Sequence, residues 1–377
     1  MALRGSGDGQ TTRDQEFGDV KLLFLMLVVS LGMPNGFADN SKTVTLTGAG
    51  IDKKNPEKFI AEAEAVGFDE LITMSNDPAF LKRAVEAGRI HHIKIFACLS
   101  PMAGLGSCWS KRYPERPVPW QVMTAEQEAA RTFIAAGKNQ YLIPYQFGGE
   151  PRMTNEVLVT KIICLSNPEA RELLKPLIDG IVSVPGIEGV AFDGFGYQNY
   201  HRCHCERCQK LLEEFSARNP AMSKDEAETA FFRGVLVDTI NSLADYARSK
   251  NPEIKTSIHI WPVFAPDPLY GNRLNVDVCG QTAAWYSLWP ETKIAEYSRV
   301  ISKNANDFYE RPNGVGFIGY YDLPGKFPVK DSARVDMELR TMIAGGCRWV
   351  MVCDAEHVIR NKEVSDVFKK YFGRPAR

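Results

Sequence analysis

After Asn40 the chain settles into a rhythm that few folds accommodate. Short runs rich in β-branched and aromatic residues alternate eight times with stretches of helical character. The runs cover 43–48, 70–75, 93–100, 189–193, 255–261, 276–280, 314–321 and 348–354. Several are apolar without alternation, as expected of parallel strands covered on both faces by helices. Between them, 55–67 and 77–88 open on Asn55 and Asp77 and close on Gly67 and Gly88, which are helix start and stop signals in the right order. Further helical stretches are expected at 167–182, 225–250, 291–307 and 331–346. Eight β/α units in series predict an α/β fold, a (β/α)8 TIM barrel spanning 39–377 as a single domain. One connection breaks the rhythm. About 65 residues, 101–166, separate the third strand from the next helix, too long for scaffold alone, and the barrel would place this insertion on its C-terminal rim.

The N-terminus reads as an export signal. Lys21 precedes an apolar run over 22–33, and Gly36-Phe37-Ala38 offers small residues where a signal peptidase reads. The run is shorter than the roughly 20 apolar residues a spanning helix needs. The expectation is a periplasmic or extracellular protein with no stable membrane span after cleavage of 1–38. Residues 1–19 are polar and acidic and fit badly ahead of a signal, whereas a start at Val20 would give a short n-region. No cysteine follows the run closely, so a lipid anchor is not indicated. A net charge of -1 carries no basic excess, which argues against a nucleic-acid partner.

In a TIM barrel the carboxylates at the C-terminal ends of strands are the ones placed to do chemistry. Asp193 closes the fourth run and is followed by Gly194. Other strand ends carry His259 (fifth), Asp277 and Gln281 (sixth), Tyr320, Tyr321 and Asp322 (seventh), and Asp354 and Glu356 (eighth). Acids converging on one mouth suit glycoside hydrolysis, in which one carboxyl protonates the leaving oxygen and another serves as nucleophile or activates water. Asp193 with Asp322 is the first pair this predicts, and Asp193 with Asp354 the second. Aromatic residues crowd the same predicted rim: Trp109, Tyr113, Trp120, Tyr197, Tyr200, Trp261, Trp285, Trp289, Tyr320 and Tyr321. Tyr197, Tyr200, His259, Trp261, Gln281, Trp285, Tyr320 and Glu356 are the candidate substrate-binding residues, for a carbohydrate partner.

Nine cysteines are present, of which Cys203, Cys205 and Cys208 cluster in a C-x-C-x-x-C spacing. Cys98, Cys164, Cys279, Cys347 and Cys353 lie in or beside apolar runs and read as packed small hydrophobes. Three local thiolates suit zinc, which prefers four such ligands in a tetrahedron. Cys108, in the rim insertion, is the choice for the fourth, with His201 and His204 as local alternatives. Disulfides are the rival reading, though Cys203 and Cys205 are too close for comfortable bridging. No organic cofactor is indicated.

The order of strand-end acid, a short loop, then C-x-C-x-x-C leading into the amphipathic stretch 209–215 resembles glycoside hydrolase family 42 and related TIM-barrel glycosidases. The resemblance implies a structural zinc site held by Cys108, Cys203, Cys205 and Cys208, with Asp193 at the acid/base position. That family carries Asn-Glu at the end of strand four and a glutamate on strand seven, where this chain has Phe192-Asp193 and Tyr321-Asp322. The expected function is therefore an exported glycoside hydrolase. The alternatives are a non-catalytic carbohydrate-binding barrel and a metal-dependent hydrolase using His201, His204 or His259.

Overall fold

The structure, a computed structural model, describes residues 44–101, 103–129, 161–199, 201–260, 273–286, 288–303, 305–306, 311–312, 315–322 and 330–374. The predicted signal segment, Tyr200 and Trp261 lie outside the described residues. Eight parallel strands close into a barrel in chain order: β1 (Thr45–Ala49), β2 (Glu70–Thr73), β3 (Lys94–Leu99), β4 (Gly189–Phe192), β5 (Lys255–Ile260), β6 (Val278–Ala284), β7 (Val315–Gly319) and β8 (Trp349–Cys353), with β8 pairing back onto β1. Each corresponds to one predicted run, so the (β/α)8 expectation holds. The sixth is displaced toward Ala284, because its C-terminal half continues pairing through a bulge between Thr282 and Ala284.

Helices α1 (Pro56–Val66) and α2 (Pro78–Ile90) follow the first two strands, and α3 (Ala103–Arg112) opens the rim insertion. Asn55 caps α1 by accepting from Lys58 N at 3.2 Å, and Gly67 ends it in the left-handed region at φ 106°. A Cβ on Gly67 would sit 2.2 Å from the Phe372 carbonyl oxygen. The stretch expected as one helix over 167–182 is instead two, α4 (Pro168–Glu172) and α5 (Lys175–Val182). Pro176 explains the break, since its ring would clash with the carbonyl four residues back, that of Glu172, the last residue of α4. Helices α6 (Glu206–Arg218) and α7 (Lys224–Lys250) lie between β4 and β5, the second opened by a capping box of Ser223 and Glu226. The layer is completed by α8 (Glu291–Lys303), α9 (Ser332–Ala344), α10 (Ala355–Arg360) and α11 (Lys362–Phe372). Among the described residues, no helix is long and apolar enough to cross a membrane.

The ladder registers decide which side chains fill the barrel. In parallel neighbours, paired residues face the same way, and alternation does the rest. A Cβ on Gly280 would meet Met351 inside the barrel. Following the registers around from that pair places Ile72, Phe96, Cys98, Ala191, Ser257, His259, Thr282, Phe317 and Cys353 inward. Large residues sit beside small ones on neighbouring strands: a Cβ on Gly189 would lie 2.4 Å from the ring of its ladder partner Phe96. At the N-terminal end the barrel encloses a carboxyl. Thr47 Oγ1 donates to Glu70 Oε2 at 2.9 Å, and Trp349 Nε1 donates to Thr47 Oγ1 at 2.8 Å. Burial raises the Glu70 pKa to about 7, against the smaller opposing effect of the Thr47 hydrogen bond.

Candidate active site and metal centre

Asp193 directly follows β4 and continues its inward face beyond Gly189 and Ala191. Its N–H donates to the Leu99 carbonyl at 3.0 Å, and Gly194, at φ 74°, turns the chain immediately after it. The side chain is 37% exposed, enough to meet a ligand, and its Oδ1 lies 3.3 Å from His259 Nδ1. The imidazole is held flat against Phe317, with ring centroids 3.8 Å apart and planes 15° apart, and Trp285 stacks beside it at 5.9 Å and 25°. His259 Nε2 is 3.5 Å from Thr282 Oγ1. The mouth thus carries a carboxylate beside an imidazole whose orientation is set by an aromatic floor and wall.

The other predicted acids are engaged elsewhere. Asp322 is exposed and its Oδ2 accepts from Asn361 Nδ2 at 3.3 Å. Asp354 caps α10, accepting from Glu356 N at 2.6 Å, and packs against Gly50; burial raises its pKa. Glu356 pairs with Arg360 one turn along the same helix. Neither Asp322 nor Asp354 is brought against Asp193 by the contacts these side chains make.

Of the candidate substrate-binding residues, His259 and Trp285 meet at the mouth. Tyr197 is buried instead, its hydroxyl donating to Phe232 O at 2.9 Å and its ring edge-on to Phe232 at 5.3 Å, so it packs the loop after β4. Gln281 falls on the outward face of β6, between the inward Gly280 and Thr282, and Tyr320 is buried, with its pKa pushed up to about 12 by burial. The sequence reading passed over Phe317 and Thr282, and took Cys353 only as a packed small hydrophobe. Strand alternation was the available signal for the first two. Cys353 faces the barrel interior with its Sγ 3.6 Å from the Tyr321 hydroxyl, and burial raises its pKa to about 12, which keeps it a neutral thiol.

The metal-ligand reading requires one correction. The four cysteines that converge are Cys164, Cys203, Cys205 and Cys208, with their sulphur atoms all within 4.8 Å of one another. Cys108 is not among them; it lies along α3, half-buried. Cys164 takes its place because the rim insertion returns to the barrel there. The Trp120–Ile163 bridge and the Cys164 N–H bond to Pro119 O at 2.8 Å deliver its side chain to the loop after β4. Its apolar flanks, Ile162-Ile163 and Leu165, disguised it as core.

The arrangement fits one tetrahedral ion. Cys164 Sγ is 3.5 Å from Cys208 Sγ and 3.8 Å from Cys205 Sγ, near the sulphur spacing of about 3.8 Å that zinc–thiolate bonds imply. No pair is bonded as a disulfide. Backbone N–H groups aim at the sulphurs: Val122 N to Cys203 at 3.3 Å, Cys205 N to Cys203 at 3.5 Å and Cys208 N to Cys205 at 3.5 Å. Such donors orient and stabilise thiolate ligands. Hydrogen bonds received from Cys164, Cys203 and Cys208 hold the Cys205 thiol far below its ordinary range, while Cys203 and Cys208, next to Cys164, are driven up. Four sulphurs this close all ionise only with a cation among them. Among the described residues, this is the one group of three or more side chains suited to hold a metal. His201 is exposed and His204 partly so, and neither joins it.

Fold and mouth together define a closed (β/α)8 barrel with a carboxylate and an imidazole at its C-terminal mouth. The solved structures it is similar to include the glycoside hydrolase domain of PgaB (BpsB) from Bordetella bronchiseptica, at TM-score 0.56 and 8% identity, covering 88% of this chain and 99% of that one. A β-galactosidase from Bacillus circulans sp. alkalophilus matches at 0.56 and 12% identity, over 88% of this chain and 56% of that one. One from the psychrophilic Marinomonas ef1 matches at 0.54 and 11%, over 86% and 58%. The chain thus spans nearly all of the first and little more than half of each β-galactosidase. At these identities the likeness is one of fold. No protein-family model and no curated protein matches the sequence.

Proposed function

We propose that this barrel is an exported glycoside hydrolase acting on an oligo- or polysaccharide, with Asp193 as an ionised carboxylate at the reacting centre. The observation that carries this reading is the Asp193–His259 contact at the end of β4, floored by Phe317 and walled by Trp285. Asp193 stands within polar reach of His259 at the mouth, where an ionised carboxylate would serve as nucleophile or base and leave proton donation to a second carboxyl. Asp322 is the partner in this reading. It is exposed, with one described hydrogen bond, from Asn361 Nδ2 at 3.3 Å, whereas Asp354 is part-buried and tied into a helix cap. The reaction adds one water across the glycosidic bond: the second carboxyl protonates the leaving oxygen, and the anomeric carbon ends bonded to the oxygen of water. The cysteine cluster would hold a structural zinc that fastens the rim.

The test is a panel of aryl glycosides and plant or algal polysaccharides with the wild type, Asp193→Asn and Asp322→Asn. Wild-type turnover that both variants lose, with melting temperatures unchanged, is expected. Full activity in Asp193→Asn would remove it from the chemistry. A second reading, a carbohydrate-binding barrel without catalysis, draws on the outward engagement of Asp322 and Asp354; glycan binding without release of reducing ends would select it. Export is tested by sequencing the N-terminus of the protein recovered from the periplasm or medium, where a start near Asp39 is expected.

A further inference from the structure

Glu338, on α9, is a fully buried carboxylate with no part in the mouth chemistry described above. It accepts from Lys330 Nζ at 2.8 Å and from Arg334 Nε at 2.7 Å. Each cation also has a second engagement. Lys330 Nζ donates to the Gly319 carbonyl, at the end of β7, at 2.8 Å, and to the carbonyl of Trp285. Arg334 Nη2 donates to the carbonyl of Trp289. The loop that leaves β6 is therefore gripped at Trp285 and again at Trp289 by two cations sharing one carboxylate.

The barrel ladder does not do this work itself. The β6–β7 register shifts between Thr282 and Ala284, and the pairing ends at Ala284 with Ile318. The Trp285 carbonyl lies one residue beyond, where a buried acceptor still needs a donor. Lys330, 3% exposed, supplies it, and its three N–H donors meet three acceptors. Burying an ammonium and a carboxylate is expensive, and apolar packing often stabilises as well or better. What the ionic arrangement adds is geometry: directed bonds to two named carbonyls on two strand ends. The residue so held, Trp285, is the one whose ring stacks on His259.

We propose that Lys330 and Arg334, joined through Glu338, are positioning residues that set the Trp285–Trp289 loop so that the Trp285 indole forms the wall of the candidate site beside His259. The use made of that wall rests on the glycosidase reading, but its placement does not, so the two fail separately.

The test uses the protein labelled with 5-fluorotryptophan at its six tryptophans, with the Trp285 and Trp289 19F resonances assigned by Trp285→Phe and Trp289→Phe. His259→Asn, which removes the imidazole stacked beside the indole, should shift the Trp285 resonance and so report the wall contact. Lys330→Met should displace the Trp285 resonance and remove its sensitivity to His259→Asn. Arg334→Met should displace the Trp289 resonance first. Because Lys330→Met leaves Glu338 paired with Arg334 alone, Lys330→Met with Glu338→Gln serves as the comparison that removes the Lys330 charge together with the shared carboxylate. A folded double variant that keeps the wild-type Trp285 shift and its sensitivity to His259→Asn overturns the proposal. So does a double variant that fails to fold, because the ions then carry the barrel and not the loop. No substrate enters this measurement, so absence of glycosidase activity leaves its outcome intact. Where activity is found, the same double variant should raise KM at least several-fold more than it lowers kcat.

Discussion

The His259 imidazole lies on the Phe317 ring with their planes 15° apart, and this stack aims Nδ1 at Asp193. The two residues come from β5 and β7, with Thr282 of β6 between them, so the orientation of a titratable side chain is determined by the packing of three neighbouring strands. The imidazole is placed by an apolar surface before any polar contact is made.

Phe317→Ala should therefore do two things. Removing the ring leaves a cavity, costing about 3–5 kcal/mol by denaturant unfolding. It also frees the imidazole, so turnover should fall further than the lost stability accounts for. Phe317→Leu should recover most of the stability and less of the turnover, because a branched aliphatic group fills space without offering a flat face.

For the metal centre, elemental analysis should find about one zinc per chain in the wild type, the stoichiometry of a four-thiolate site. Cys164→Ser should reduce it severely, whereas Cys108→Ser should retain it. Chelation should lower the melting temperature and expose 103–129 to protease before the barrel strands are cut. Full metal content in Cys164→Ser would return the fourth-ligand position to another residue.

Glu70 predicts a pH dependence of stability with a definite sign. Its pKa in the folded barrel, about 7, exceeds the ordinary value of 4.5, so the folded state holds the proton more tightly. Its contribution is present in full below the unfolded value and is lost as pH rises through about 7. Relative to Glu70→Gln, which keeps an oxygen for Thr47, the wild type should lose up to about 3 kcal/mol between pH 4.5 and pH 8. Parallel stability curves for the two proteins would show that Glu70 ionises at no cost.

Gly189→Ala should destabilise by about 1–3 kcal/mol through overpacking. The added methyl would meet both the Phe96 ring and the Lys255 carbonyl oxygen at 2.4 Å, and the backbone atom has no rotamer to yield. In the Phe96→Leu background the penalty should shrink, as measured by a double-mutant cycle.

The fold was legible because each β/α unit advertises itself locally: apolar runs, Asn55 and Asp77 as caps, Gly67 as a stop. Side-chain direction was legible only in part. Asp193 and His259 could be read as strand-end groups, but their meeting depends on a register that no local pattern states. Asp322 and Asp354 carry the same strand-end signature as Asp193, yet they bond toward Asn361 and the α10 cap, a distinction made by loop geometry. Cys164 was hidden for a different reason. A metal ligand delivered by a long insertion has no sequence neighbour to mark it, and its apolar flanks mark it as core. Tyr197 shows the converse, a rim aromatic by position whose hydroxyl is spent on Phe232.

The neck of the rim insertion has one more implication. Its outgoing and returning strands are stitched side by side where Gln121 N meets Ile162 O at 2.9 Å and Cys164 N meets Pro119 O at 2.8 Å. Chain that leaves and re-enters a scaffold at one point can change length at an entropic cost that grows only logarithmically. A change of chain length between residues 121 and 162 would therefore cost the scaffold beneath little.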